Sequence, residues 1–150
     1  MTAVNWKLVV DCAEPLRLAE FWSEALGYQR EDHSGFIERL IGFGAVTDAD
    51  WTELNGRKVW RNAAAVRHPE DPFDGASGVG LGRRVLFNAV PEAKQGKNRL
   101  HIDLHFGPER RDAEAERLTS LGGEVLRVVE ELGSTHVVMA DPEGNEFCVQ

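Results

Sequence analysis

An α+β fold made of two βαβββ modules in tandem is what this sequence predicts, on three observations. Each half of the chain reads as a strand, a helix closed by glycine, and about three more strands. The helix ends match, with "EALGY" in the first half lying over "TSLGG" in the second. The final strands match as well, "LFNAV" over "EFCVQ", which sets Asn88 at the position of Cys148. The boundaries implied are one domain, 1–150, built of modules 1–93 and 97–150.

The elements follow in order. "NWKLVVDC" alternates and is rich in β-formers, so it reads as the first strand. Laid over "HIDLHF", it matches Trp6, Leu8 and Val10 to Ile102, Leu104 and Phe106, and Asn5 to His101. "AEPLRLAEFWSEALG" is a helix: Pro15 suits a first turn, and Leu18, Phe21, Trp22, Ala25 and Leu26 share a stripe. Gly27 is placed to end it in a left-handed conformation. Strands are expected at "YQRED", "GFIERLIGFGAV", "NAAAVRH" and "RRVLFNAV". Between them "DADWTELNGRKVW" reads as a short helix stopped at Asn55-Gly56, or as a loop. "HPEDPFDGASGVGLG" is a turn-rich loop. In the second half "GPERRDAEAERLTSLGG" is a charged helix, "EVLRVVEE", "HVVMAD" and "NEFCV" are strands, and "DPEGN" is a tight turn.

Composition narrows the class. A hydrophobic share of 42% with 28% charged residues is that of a soluble globular chain. No apolar run is long enough to cross a bilayer, and "MTAVNWKLVVDCAEP" lacks the build of a signal peptide. Two cysteines, Cys12 and Cys148, are too few for a disulfide framework, which points to a reducing, cytoplasmic setting. A net charge of −8 argues against nucleic acid as a partner. No Ser-His-Asp order, phosphate loop or dinucleotide fingerprint stands out.

The stretch that carries chemistry is "KNRLHIDLHF". A strand sends alternate side chains to opposite faces, so His101, Asp103 and His105 share one face and Ile102, Leu104 and Phe106 the other. His101 and His105 stand about 13 Å apart along such a strand, too far to grip one ion. His101 with Asp103 is close enough. His33, His68 and His136 carry no pattern and read as surface residues.

Together, "LVVDCAEPLRLAEFWSEALGY", "NRLHIDLHF", "LGGEV" and "DPEGNEFCV" in a duplicated βαβββ frame resemble the vicinal oxygen chelate superfamily of glyoxalases, extradiol dioxygenases and bleomycin-resistance proteins. More narrowly, the chain resembles the bacterial glyoxalase-like domain proteins, least from about Gly42 to Gly82, where it carries extra residues. The resemblance implies two curled sheets that share a cleft, and often a homodimer. It also implies metal ligands, typically His or Gln, Glu, His and Glu, at the positions of Asn5, Asn88, His101 and Cys148. Only His101 keeps the usual ligand type. Two neutral amides and a thiol replace the rest, and amides are weak partners for a transition metal.

The expectation is therefore a protein that holds a small apolar or aromatic molecule in its cleft without metal, of the resistance or sequestration type. Asn5, Asn88, His101, Asp103, Glu146, Cys148, Trp51 and Trp60 are the candidate ligand-binding residues. Trp51 and Trp60 either stack on the ligand or pack the extra segment. The alternative is a lyase- or dioxygenase-type enzyme. It would hold zinc, iron, manganese or nickel at His101, Asp103, Glu146 and Cys148, or use His101 as a general base without metal. Glyoxalase I activity is not expected, because both carboxylate ligands are missing.

Overall fold

Exposure alternates along the first strand, with Leu8 and Val10 half-buried, Val9 and Asp11 exposed, and Cys12 buried at its end. The computed structural model describes residues 2–150. In it β1 (Leu8–Cys12) lies parallel to β6 (Arg84–Ala89), with Val10 beside Phe87 and Asp11 beside Asn88. Helix α1 (Pro15–Leu26) starts with its proline in the first turn and ends at Gly27, whose φ of 66° confirms the left-handed cap. Its stripe of Leu18, Phe21, Trp22 and Ala25 is buried, and packs on β6 and β5 (Ala63–Arg67). Strand β2 (Gln29–Arg30) closes the sheet in the order β1-β6-β5-β2.

Residues up to Glu92 form this first compact unit, and Ala93–Gln150 form a second. The second holds β7 (Asp103–Leu104), α3 (Arg111–Ser120), β8 (Glu124–Glu131), β9 (Ser134–Ala140) and β10 (Glu146–Val149). Its sheet runs β7-β10-β9-β8. Each unit thus places the first strand of its module beside the last, in parallel, and the other neighbours antiparallel. This is the duplication read from the sequence. Phe87 and Phe147, matched in that reading, are 0% and 1% exposed. Among the described residues no helix is long and apolar enough to cross a membrane.

Three local expectations are corrected. "GFIERLIGFGAV" is not a strand, because residues Ser34–Gly42 form helix α2, with Ile37 buried at helical spacing from half-buried Leu40 and Ile41. "DADWTELNGRKVW" is neither helix nor loop but a β-hairpin, β3 (Trp51–Leu54) against β4 (Arg57–Trp60). Asn55 and Gly56 both take positive φ, 50° and 76°, which suits the twist of a two-residue hairpin. Third, the overlay of the first strands shifts. Asp11 faces Asn88 as Asp103 faces Cys148, so Val9, not Asn5, stands where His101 does. The shift is an even number of residues, so it preserves faces and changes partners. Trp6 then falls outside the β1–β6 ladder and is 83% exposed rather than in the core, while Trp22 is buried as expected.

Candidate functional site

In the second unit, strand pairing gathers three donors. Cys148 on β10 lies directly beside Asp103 on β7, and His101 is two residues back on the same face as Asp103. One ligand atom from each of His101, Asp103 and Cys148 lies within 4.8 Å of the others. His101 Nε2 is 3.3 Å from Asp103 Oδ1. The other carboxylate oxygen accepts from Gln150 Nε2 at 3.0 Å, which fixes its rotation. Burial pushes the Cys148 thiol up, and the neighbouring Asp103 charge adds to it, so the sulfur is a neutral thiol near pH 7. A set of imidazole, carboxylate and thiol suits a divalent metal such as zinc.

Glu146 does not join this group. Its carboxylate accepts from the Asn98 backbone N–H at 2.9 Å and faces Lys94, and these partners outweigh burial and hold its pKa down. His105 is likewise outside the group. Asn5 is exposed ahead of β1. Asn88 is half-buried on β6, where its carbonyl takes a long 3.6 Å contact from the Cys12 thiol. Trp51 pairs across the hairpin with Trp60 and lies under Lys58, 5.4 Å from its ring centre.

The first unit contains a cavity. Strand β2 ends at Arg30, and past that point the edge of β5 has no strand beside it. The inserted hairpin comes up along this edge and leaves about 360 Å³ between Leu16 and Ala19 of α1, Val59 and Trp60 of the hairpin, and the run Ala63-Ala64-Ala65. Alanine is depleted in strands, so three in succession need a cause. Here their small side chains leave the space open. A smaller cavity also lined by Trp60, Ala63 and Ala64 adds Phe36 and Leu86.

Glu31 and His33 in the cavity lining belong to a charged cluster. Glu31, with no exposed side-chain surface, accepts from Arg84 Nε and Nη2 at 2.6 and 2.8 Å and from the Gly80 N–H at 2.8 Å. Burial drives its pKa up, but Arg84, His33 and the Gly80 N–H together overcome this and hold it at about 2. His33 Nε2 lies 3.1 Å from Glu31, and its Nδ1 lies 2.7 Å from the Ser77 carbonyl. Both neighbours only accept, so both ring nitrogens carry protons. Burial would lower the His33 pKa, yet the Glu31 and Ser77 bonds raise it. His33 is therefore a mostly buried side chain that holds its proton more firmly than a free imidazole, and not a surface residue. Sequence reading left out Glu31 and Arg84 and set His33 at the surface, since the bonds that tie this pair to Ser77, Gly80 and Arg84 span 44 to 53 residues and follow no period.

Two βαβββ units of identical strand order, with candidate ligands on the paired first and last strands of the second, define a vicinal oxygen chelate protein. The chain matches the sequence model of the glyoxalase-like domain over residues 7–150 and belongs to that family. No curated protein sequence matches it. Among solved structures it resembles the fosfomycin resistance protein FosX from Mesorhizobium loti, at 11% identity and TM-score 0.59, covering 100% of this chain and 92% of that one. A glyoxalase/bleomycin resistance/dioxygenase family enzyme from Burkholderia phytofirmans gives 13% and 0.57, covering 95% and 94%. A mutant FosX from Listeria monocytogenes, complexed with Mn(II) and a dihydroxypropylphosphonic acid, gives 11% and 0.59, covering 100% and 90%. At these identities the likeness establishes the fold.

Proposed function

We propose that this protein binds a small apolar or aromatic molecule in the cavity of its first unit, in the manner of a sequestering member of its superfamily. The observation that carries this reading is the apolar space beside Trp60, kept open by the alanine run on β5. Its volume falls within the range of small-molecule pockets, and an indole wall offers a flat face for stacking. No metal is needed for such binding. The test is calorimetric titration with naphthalene-sized neutral aromatics, repeated on Ala63→Leu, whose added side chain fills the space. Binding in the parent and a tenfold or greater loss in Ala63→Leu, at a similar melting temperature, is the expected result. Equal affinity in the two proteins, or no binding in either, would sink the reading.

One observation favours a second reading, the convergence of His101, Asp103 and Cys148. Under it these three residues hold a divalent metal that, when bound, polarises vicinal oxygens of a substrate in lyase- or dioxygenase-type chemistry. Gln150 keeps Asp103 oriented toward the site. Because the Cys148 proton must leave for the sulfur to ligate, retention should fall as pH is lowered. The measurement is metal content by mass spectrometry after loading with manganese, iron(II), nickel or zinc and desalting. About one ion per chain, lost in His101→Ala, supports the metal reading. Absence of retained metal at every pH retires it and leaves His101 and Asp103 as an imidazole–carboxylate pair.

A further inference from the structure

The charges around the first unit's cavity do not cancel, and the remainder points to the chemistry of the ligand. Five ionisable side chains line it: Arg30, Glu31, Asp32, His33 and Arg57. Glu31 is consumed by Arg84, His33 and the Gly80 N–H. Asp32 is consumed by Ser34, which donates from both its backbone N–H and its hydroxyl, and by Arg57 at 2.9 Å. These pairs leave Arg30, an exposed residue whose guanidinium makes no hydrogen bond or ion pair among the described residues.

The backbone supplies a second donor to the same cavity lining. The Asn62 carbonyl accepts from Ala89 N, toward β6, while the Ala65 carbonyl accepts from Glu31 N, on the opposite side. Backbone groups of an antiparallel strand alternate in direction, so Ala63 turns its N–H and carbonyl to the same side as Ala65. Strand β2 has ended before it reaches that level, and Ala63 lines the cavity. Its N–H has no protein partner among the described residues. An unpaired backbone donor and an unpaired guanidinium in the lining of an apolar, indole-walled space are complementary to one chemical type.

We propose that the ligand of this cavity is an aromatic carboxylate, its ring against Trp60 and the alanine run, its carboxylate on Arg30 and the Ala63 N–H. The proposal rests on the reading of the cavity as the ligand site and adds the sign of the ligand's charge. A guanidinium and a backbone N–H both donate, so they favour an anion over a neutral amide, which has one acceptor and two donors of its own. In a chain of net charge −8 this local excess of positive charge is set against the overall field, which repels anions.

The test uses one ring with three head groups: 1-naphthoate, 1-naphthamide and 1-naphthylmethylammonium, titrated calorimetrically into the full chain. The expected order is carboxylate tightest by at least tenfold over amide, then the ammonium. The preference should shrink with added salt, vanish in Arg30→Gln and survive in part in Arg30→Lys, with melting temperatures used to check folding. Equal binding of carboxylate and amide, or a preference that persists in Arg30→Gln, would overturn the anionic ligand and leave the aromatic site standing. Tightest binding of the ammonium would overturn it as well. If none of the three binds, the cavity reading falls together with this one.

Discussion

Glu31→Ala should destabilise the protein by about 3–5 kcal/mol, the usual cost of removing one partner from a buried ion pair. The size follows from what is left behind. Arg84, whose side chain is 8% exposed, loses both of its bonds to the carboxylate, and the Gly80 N–H and the His33 ring lose their acceptor. Replacing Glu31 by Leu and Arg84 by Met together should be milder, because the stranded guanidinium is then gone and His33, left without its carboxylate, can shed its proton. Urea denaturation of the three proteins measures this; a loss within about 1 kcal/mol for Glu31→Ala would mean that water reaches Arg84 freely.

The same cluster sets a pH window. Glu31 is held at about 2 against an ordinary value of 4.5, so its contribution is complete above 4.5 and is lost as pH falls toward 2. The His33 pKa is raised above 6.5, so its contribution is complete below 6.5 and is lost as pH climbs through the folded value. The cluster therefore stabilises most between about 4.5 and 6.5. A plot of melting temperature against pH should show that plateau in the parent and a flatter profile in Glu31→Ala.

Phe147→Ala should cost about 3–5 kcal/mol, the range for emptying a buried aromatic position. Its ring is 1% exposed in the second unit, where α3 packs on β9 and β10 and buries Leu118 and Met139 in the same core. Phe87 is its counterpart in the first unit and is equally buried, so Phe87→Ala should cost a similar amount. Trp6→Ala is the contrast. A larger residue is removed, yet the effect should stay within about 0.5 kcal/mol, because the ring is 83% exposed. Denaturation midpoints that ranked Trp6 with the two phenylalanines would refute the burial argument.

The duplicated frame was legible in the sequence because each module carries its own local marks: an alternating strand, a glycine-capped helix and a matched final strand around Phe87 and Phe147. The matched ends fixed the last strands, and left the first strands free to slide by an even step. The true partner of Asn88, Asp11, depends on a parallel pairing 77 residues long in the chain, which no local pattern records. In the insertion, apolar spacing was mistaken for a strand at residues 35–46, although Ile37, Leu40 and Ile41 also fit a helical face.

The sites divide in the same way. His101 and Asp103 could be seen as a pair because they lie on one strand, and Cys148 because the resemblance gave it an address. Glu31, His33 and Arg84 could not, because two segments some 53 residues apart supply them. The cavity did leave a trace in "NAAAVRH": alanines where a strand would ordinarily carry larger β-branched residues. Of the two indoles in the insertion, Trp60 lines the cavity.

The early end of β2 has a consequence for anyone who would shorten this chain. Excising α2 and the β3–β4 hairpin would make the first unit as lean as the second. It would also strip the cover from β5 where Ala63 turns unpaired backbone outward. A bare sheet margin of small residues is a template for another chain to join. Such a trimmed protein should form ladders with its own kind, so the inserted segment doubles as a guard against self-association.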